Sequence, residues 1–270
     1  MANKEYYENK NAVVTGGASG IGLALAETML SYGARRVVLA DVNEAGLKEE
    51  VPRLDSAHPA KVLGIHCDVT KEKDVQAMMR QAATFGDGSI DLLFNNAGAG
   101  FVGLFDELGN KDWEKAFALN FYGALYGIRA VLPIMRAQGG GHIVDVVSGI
   151  AFYPMAYQAQ YAATKAALNA LTLALRYELW DENIRVTSTT PGVALTGIWE
   201  GSGVEPPSGA HTAEESARNI LAGVAENQRL VLADEDVSSA RTGFAPEDAE
   251  GVDEYLLSVA RQRREGHAAV

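Results

Sequence analysis

A strand, a glycine-rich turn and a helix stand within the first thirty residues, and the rest of the chain must be arranged around them. Asn11-Ala12-Val13-Val14 is a short apolar run of the kind that forms a buried strand. Thr15-Gly16-Gly17-Ala18-Ser19-Gly20-Ile21-Gly22 follows, and from Ile21 to Leu30 the apolar residues fall at helical spacing. Glycines at such a turn meet two needs: a tight bend requires residues without a Cβ, and so does close approach of the backbone to a phosphate. The helix that starts there points unpaired N–H groups and the positive end of its dipole at the same spot. The spacing is not G-x-G-x-x-G, and no Lys-Ser or Lys-Thr follows to make a Walker loop. Taken alone, the stretch also reads as a turn that serves chain geometry only.

The remainder of the chain narrows this. Further strands read at Arg36–Ala40, Val62–Cys67, Ile90–Phe94, His142–Val147, Ile184–Thr190 and Leu230–Ala233. Helical patterns lie between them: about 44–55, about 71–85 with Thr70 as its cap, about 112–136 interrupted by Gly123 and Gly127, about 159–181, and about 213–226. The last opens on Thr212 and Glu215, a capping box. Alternating strands and helices predict an α/β fold. It is a doubly wound, seven-stranded parallel sheet with helices on both faces, a Rossmann-type three-layer sandwich. With 270 residues and no Pro/Gly/Ser linker, the chain reads as one domain, 1–270. The Gly/Pro-rich stretch of about 193–211 reads as a loop over the site. Segment 234–254 carries eight acids and one Arg and reads as loosely ordered surface. Arg261-Gln262-Arg263-Arg264 reads as a basic patch on a last helix.

Composition removes several function classes. A formal charge of −12 argues against nucleic acid and against anionic membrane surfaces. No uninterrupted run of 18 apolar residues is present, so a membrane span is not expected. The first eight residues lack the apolar core of a signal peptide. Cys67 is the single cysteine, which excludes an internal disulfide and suits a reducing compartment. A cytoplasmic protein is expected, with Cys67 as a buried small hydrophobe, His66 as a structural residue and no metal site.

In an open α/β sheet, chemistry belongs beyond the carboxyl ends of the strands. Asp41 ends the second strand, nineteen residues after Gly22. A carboxylate there accepts hydrogen bonds from the two ribose hydroxyls of an adenosine and repels a 2′-phosphate. Val42 and Asn43 bring no compensating cation, and Arg35 and Arg36 start the strand at its other end. The competing reading makes Asp41 or Asn43 the cap of the next helix. The fourth strand ends in Asn95-Asn96-Ala97-Gly98-Ala99-Gly100, small and amide residues that suit a crevice where a flat ring passes the backbone. Ser148 closes the fifth strand. Of the tyrosines after it (Tyr153, Tyr157 and Tyr161), only Tyr161 has a lysine four residues on, Lys165, on the same helix face. An ammonium close to a phenol lowers its pKa from about 10 toward the working range, so that it can exchange a proton with an alcohol or carbonyl oxygen. Ser148 is placed to hold that oxygen by a hydrogen bond.

These residues together resemble a conventional short-chain dehydrogenase/reductase, and the resemblance covers residues 12 to about 196. Thr15-Gly16-x-x-x-Gly20-x-Gly22 is similar to the family's cofactor turn, and Asn95-Asn96-Ala97-Gly98 to its fourth-strand motif. Asn120, Ser148, Tyr161 and Lys165 match its catalytic four, and Pro191-Gly192-x-x-x-Thr196 its segment beside the nicotinamide. The resemblance implies a cofactor site of Gly16, Ser19, Gly20, Ile21, Gly22, Asp41 and Val42, with Asp68 and Val69 along the adenine. It adds Asn95, Ala97 and Gly98, then Pro191, Gly192, Val193 and Thr196 at the nicotinamide, with Tyr161 and Lys165 at its ribose. Asn120 would hold a water that links Lys165 to solvent. Hydride would pass between NAD(H) and a carbinol carbon while Tyr161 takes or gives the hydroxyl proton. A homodimer or homotetramer is implied, although the family's Gly-rich terminal pattern is replaced here by acids.

Asp41 and the absence of a basic residue in the turn favour NAD. The residues expected around the substrate are Phe101, Val102, Ile150, Phe152, Tyr153, Met155, Tyr157, Leu195, Ile198 and Trp199, apolar or aromatic throughout. They suit a neutral, fairly bulky secondary alcohol or ketone. An NADPH-dependent ketone reductase and a non-catalytic nucleotide-binding protein are the competing expectations.

Overall fold

The computed structural model describes residues 4–152, 158–192, 194–195 and 210–233. Seven strands form one parallel sheet: β1 Asn11–Thr15, β2 Arg36–Asp41, β3 Val62–His66, β4 Leu92–Asn95, β5 Gly141–Val146, β6 Ile184–Thr190 and β7 Leu230–Leu232. Their order is β3-β2-β1-β4-β5-β6-β7, so the winding reverses between β1 and β4. At such a reversal the loops leave the strand ends in opposite directions and open a crevice. The helices are α1 Gly20–Ser31, α2 Glu44–Ala57, α3 Glu72–Phe85, α4 Asn110–Phe117, α5 Gly123–Gln138, α6 Ala159–Glu178 and α7 Ala213–Ala225.

The strands read as apolar runs because both faces of the sheet are covered. Val14, Leu39, Phe94 and Val144 pack on one face with Leu25 and Met29 of α1 and Leu221 of α7. Val13, Val38, Leu93 and Ile143 pack on the other with Met78 of α3 and Val131 and Met135 of α5. At the amino end of the sheet His142 is fully buried, and burial pulls its imidazole down to about 3. Thr187 donates its hydroxyl proton to Gln228 O at 2.8 Å, so it accepts from His142 Nε2 at 2.9 Å. That leaves Nδ1 to accept from the Tyr6 hydroxyl at 2.9 Å.

Several boundaries differ from the sequence expectations. α3 is capped at Lys71, not Thr70, because the Thr70 hydroxyl donates to Asp68 at 2.7 Å. Asn43, not Asp41, caps α2, accepting from Gly46 N. β4 starts two residues late, since Ile90 N is taken by the Gln138 side chain. α6 ends at Glu178, and a separate 3-10 turn follows at Trp180–Glu182. The helix expected at 112–136 begins at Asn110 and passes through a π turn, Ala118–Tyr122, before continuing as α5. The whole stretch Asn110–Gln138 is long and apolar enough to cross a membrane by length and composition, although its apolar residues are interrupted. Here α5 packs on α3 and the sheet: Gly123 abuts Val69 and Gly127 abuts Asn95. The capping box of Thr212 and Glu215 is present at α7. Of the loop expected at 193–211, Ala194–Leu195 pairs in parallel with His211–Thr212. The acidic segment 234–254 and the basic cluster at 261–264 lie outside the described residues.

Candidate active site

The glycine turn is held against the end of β4 by side-chain bonds that the linear sequence does not display. The Thr15 hydroxyl accepts from Asn96 N at 3.0 Å and Ala97 N at 3.1 Å, and donates to Phe94 O at 3.3 Å. The Asn96 amide returns a bond to Thr15 O at 2.9 Å. Gly16 and Gly20 have φ of +65° and +52°, the left-handed region that costs a glycine nothing. A Cβ at Gly16 would stand 3.0 Å from the Cα of Ala97. At Gly22 a Cβ would collide with the Gly16 carbonyl, so this glycine lets α1 enter against the turn. It does not line the cavity, contrary to expectation. Ser19 caps α1 without any side-chain bond to it, and Ser19, Gly20 and Ile21 face the cavity. The first N–H groups of α1 are therefore left for a ligand.

The cavity, about 430 Å³, runs from Asp41 and Val42 past Asp68 and Val69 to Tyr161, Lys165 and Pro191. Asp41 closes one end. Its Oδ2 accepts from Ala18 N at 3.0 Å and its Oδ1 from Asn43 N at 2.9 Å, so the carboxylate is fixed in direction by the glycine turn and by the start of α2. Asp68 is held by Thr70 and Lys71, and these hydrogen bonds keep its carboxyl below the usual carboxylate range. Cys67 is buried as expected, yet it also lines the cavity wall; burial pushes its thiol up to about 11, which keeps it unreactive.

At the other end the four expected reactive residues converge. The π turn carries Asn120 into the interior, where its Oδ1 accepts from Ala99 N and its Nδ2 donates to Ala99 O, both at 3.0 Å. Nδ2 also lies 3.3 Å from the hydroxyl of Thr164 on α6. Lys165 is buried and donates from Nζ to Val146 O at 2.9 Å. Burial draws its amine down to about 8, against the opposing pull of Asp145. The phenol of Tyr161 is hydrogen-bonded with Ser148. Its pKa was expected to fall under the influence of Lys165. In the chain alone it is raised, because burial outweighs the hydrogen bond from Ser148.

Asn95 departs from its expected place at the cofactor. Its side chain is buried below the cavity, and Nδ2 donates to Asp145 Oδ1 at 2.8 Å. Asn96, Ala97, Gly98 and Ala99 of the run expected at the crevice do line the cavity, joined by residues that sequence reasoning did not single out: Leu119, Val146 and Val147. Val146 and Val147 stand at the end of β5, a signal that became usable only once the strand order was known, and Leu119 lies on the π turn beside Asn120. Gly192 follows Pro191 with φ +76° and is not part of the wall. Among the expected substrate residues, Ile150 is buried outside this cavity, Val102 is exposed and Phe101 is half-buried. Tyr153, Met155, Tyr157, Val193, Thr196, Ile198 and Trp199 lie outside the described residues. No cluster of three or more metal-ligating side chains occurs among the described residues.

The donor set fits a dinucleotide: a cradle that a Cβ would fill, uncapped helix N–H groups, an oriented carboxylate at the far end and a buried amine at the near one. The fold and site together define a doubly wound α/β protein with a crevice suited to a dinucleotide. Residues 10–205 match the family model for short chain dehydrogenases, and the chain belongs to the short-chain dehydrogenase/reductase family. An uncharacterized oxidoreductase of Staphylococcus epidermidis is 36% identical over 195 residues, covering 72% of this chain and 82% of the relative. A short-chain dehydrogenase/reductase of Burkholderia phymatum, solved in complex with NAD, superposes with a TM-score of 0.78 at 27% identity and covers 98% of both chains. L-sorbose reductase of Gluconobacter frateurii, solved with NADPH and L-sorbose, gives 0.75 at 30% identity over 84% of this chain and 95% of that one.

Proposed function

We propose that this protein transfers hydride between NAD(H) and a neutral, fairly apolar secondary alcohol or ketone, with Tyr161 as proton acceptor or donor. The observation that carries the reading is one continuous cavity lined by Asp41 at one end and by Lys165 and Tyr161, the hydrogen-bond partner of Ser148, at the other. Gly16, Ser19, Gly20 and Ile21 would hold the pyrophosphate, Asp41 the adenosine ribose, and Asp68 and Val69 the adenine. Lys165 and Tyr161 would meet the nicotinamide ribose. When bound, the nicotinamide supplies the hydride acceptor or donor.

The remaining chemistry belongs to the chain. Burial keeps the Tyr161 phenol protonated, which suits the acid in ketone reduction. In alcohol oxidation the phenolate is favoured by the Ser148 hydrogen bond and by the positive charge of Lys165. Ser148 also holds the substrate oxygen. Asn120, fixed on both sides by Ala99, is placed to hold a water on the path from Lys165 to solvent. NADPH-dependent ketone reduction is the second reading, favoured by the NADPH-bound L-sorbose reductase of similar fold. Asp41, beside the exposed Val42, speaks against it through repulsion of a 2′-phosphate. We place the protein in the cytoplasm as a homodimer or homotetramer.

The test is a titration with NADH and NADPH, followed by a screen of neutral secondary alcohols and their ketones in both directions. Tight NADH binding with turnover supports the reading. Preferred binding of NADPH moves it to ketone reduction, and no binding of either refutes both.

A further inference from the structure

Below the cavity floor, the face of the sheet under α6 carries a row of polar side chains that the proposed chemistry does not use. Asn95, Asp145 and Ser188 are register neighbours on β4, β5 and β6, and all three are buried. Ser188 is satisfied from α6 by Asn169, to which it donates at 2.8 Å. Asp145 is fully buried between Asn95 Nδ2, 2.8 Å from its Oδ1, and the hydroxyl of Thr172 on α6, 2.7 Å from its Oδ2. Lys165 stands two helical turns before Thr172 on the same helix face. Its Nζ donates to the carbonyl of Val146, the residue next to Asp145 on β5. A buried carboxylate and a buried amine thus meet the same strand at adjacent residues. Neither is easily kept as an ion in such a place without hydrogen bonds and an opposite charge to offset its burial.

We propose that Asp145 is a positioning residue for Lys165: its carboxylate, oriented by Asn95 and Thr172, keeps the lysine in its ammonium form beneath the reacting groups. The proposal rests on the reading of Tyr161 and Lys165 given above, since the ammonium is what favours the Tyr161 phenolate. Hydrogen-bond counting shows that the site accommodates both charge states of Asp145. The Thr172 hydroxyl lies 2.7 Å from Asp145 Oδ2 and also 2.7 Å from Leu168 O, yet it has one proton. With Asp145 ionised, Thr172 donates to the carboxylate. With Asp145 protonated, the acid donates to Thr172, and Thr172 donates to Leu168 O. The heavy atoms need not move between the two. Burial raises the Asp145 acid to about 6, while the hydrogen bonds from Asn95 and Thr172, and then the charge of Lys165, pull it the other way. Lys165 is the charged group that acts on Asp145 among the described residues; the groups facing it from β4 and elsewhere on α6, Asn95 and Thr172, are neutral.

Asp145→Asn isolates the charge. An asparagine oxygen still accepts from Asn95 and its amide still donates to Thr172, so the variant copies the protonated acid in shape and bonding. The measurement is a pH titration by NMR of the full chain, without added cofactor, labelled at lysine Cε and aspartate Cγ. Nine lysines give nine signals, and Lys165→Met assigns the one of interest. In the wild type Lys165 titrates near 8. Loss of the opposite charge of Asp145 moves it down in Asp145→Asn, by about one pH unit. Thr172→Val removes a donor to the carboxylate, so the Asp145 carboxyl signal moves up and the Lys165 signal down. Reciprocally, Lys165→Met moves the Asp145 inflection up. An unmoved Lys165 inflection in folded Asp145→Asn overturns the proposal. Should that variant not fold, unmoved inflections in Thr172→Val and Lys165→Met overturn it instead. The reading uses no turnover. A protein that proves inactive can still show the coupling, and an active one can still lack it.

Discussion

Asp41 allows the sharpest single test of cofactor choice. Its carboxylate accepts from Ala18 N at 3.0 Å and from Asn43 N at 2.9 Å, and it closes one end of the cavity. Hydrogen bonds to a charged acceptor are worth about 1.5–3 kcal/mol. At about 1.4 kcal/mol per decade, Asp41→Ala weakens NADH binding by roughly ten- to a hundredfold. The effect on NADPH has the opposite sign. Asp41 is partly exposed, so its repulsion of a 2′-phosphate lies toward the solvent-screened end of the range of about 1–4 kcal/mol for charges about 4 Å apart. Relief of about 1 kcal/mol tightens NADPH roughly fivefold. The NADH-over-NADPH preference therefore falls by about two orders of magnitude. Nicotinamide fluorescence gives both dissociation constants, and thermal melting shows whether the turn survives the loss of its two backbone bonds. Asp41→Asn keeps one acceptor oxygen without the charge and separates the two causes. A folded Asp41→Ala and Asp41→Asn that both keep the wild-type preference would refute the reasoning.

Three further outcomes are expected. Tyr161→Phe lowers kcat by about 10²–10⁴-fold while NADH affinity falls by no more than about tenfold, because the proton donor is lost but only one hydrogen bond to the nicotinamide ribose goes with it; stopped-flow turnover with parallel NADH titration checks this. His142 sets an acid limit on stability. Its folded pKa lies near 3, below the ordinary imidazole value of 6.5, so its contribution is present above pH 6.5 and is lost as pH falls toward 3. The loss amounts to several kcal/mol in total; urea unfolding between pH 7 and pH 4 falls less steeply in His142→Gln than in the wild type. Thr212→Ala removes the cap of α7, costs about 0.5–2 kcal/mol and lowers Tm by about 2–4 °C per kcal/mol, with cofactor binding retained.

The boundaries that shifted show where sequence reading stops. α7 and β6 fell where their patterns placed them, because a Thr212 cap and a doubly buried strand are local or nearly local signals. Thr70 missed its role as a cap because Asp68, two residues away, claims its hydroxyl. Asn95 looked like a cofactor contact because it shares a motif with Ala97 and Gly98. Successive strand residues face opposite sides of the sheet, and its side chain took the side occupied by Asp145 and Gly127.

The sequence by itself determined the parts whose partners are close in the chain. These are the glycine turn between β1 and α1, the acid at the end of β2, the doubly wound alternation, and Tyr161 and Lys165 one turn apart on α6. Each follows from backbone sterics or from the 2.0 and 3.6 periodicities, which act over a few residues. Tertiary structure decided the rest. Thr15 locks the turn to Asn96 and Ala97 because β1 and β4 are neighbours in the sheet. Asn120 finds Ala99 because a π turn widens the helix at that point. The protonation of Tyr161, Lys165 and Asp145 is set by burial and by groups brought together across β4, β5 and α6. Desolvation and charge pairing depend on what surrounds a group in space, and no spacing along the chain encodes that.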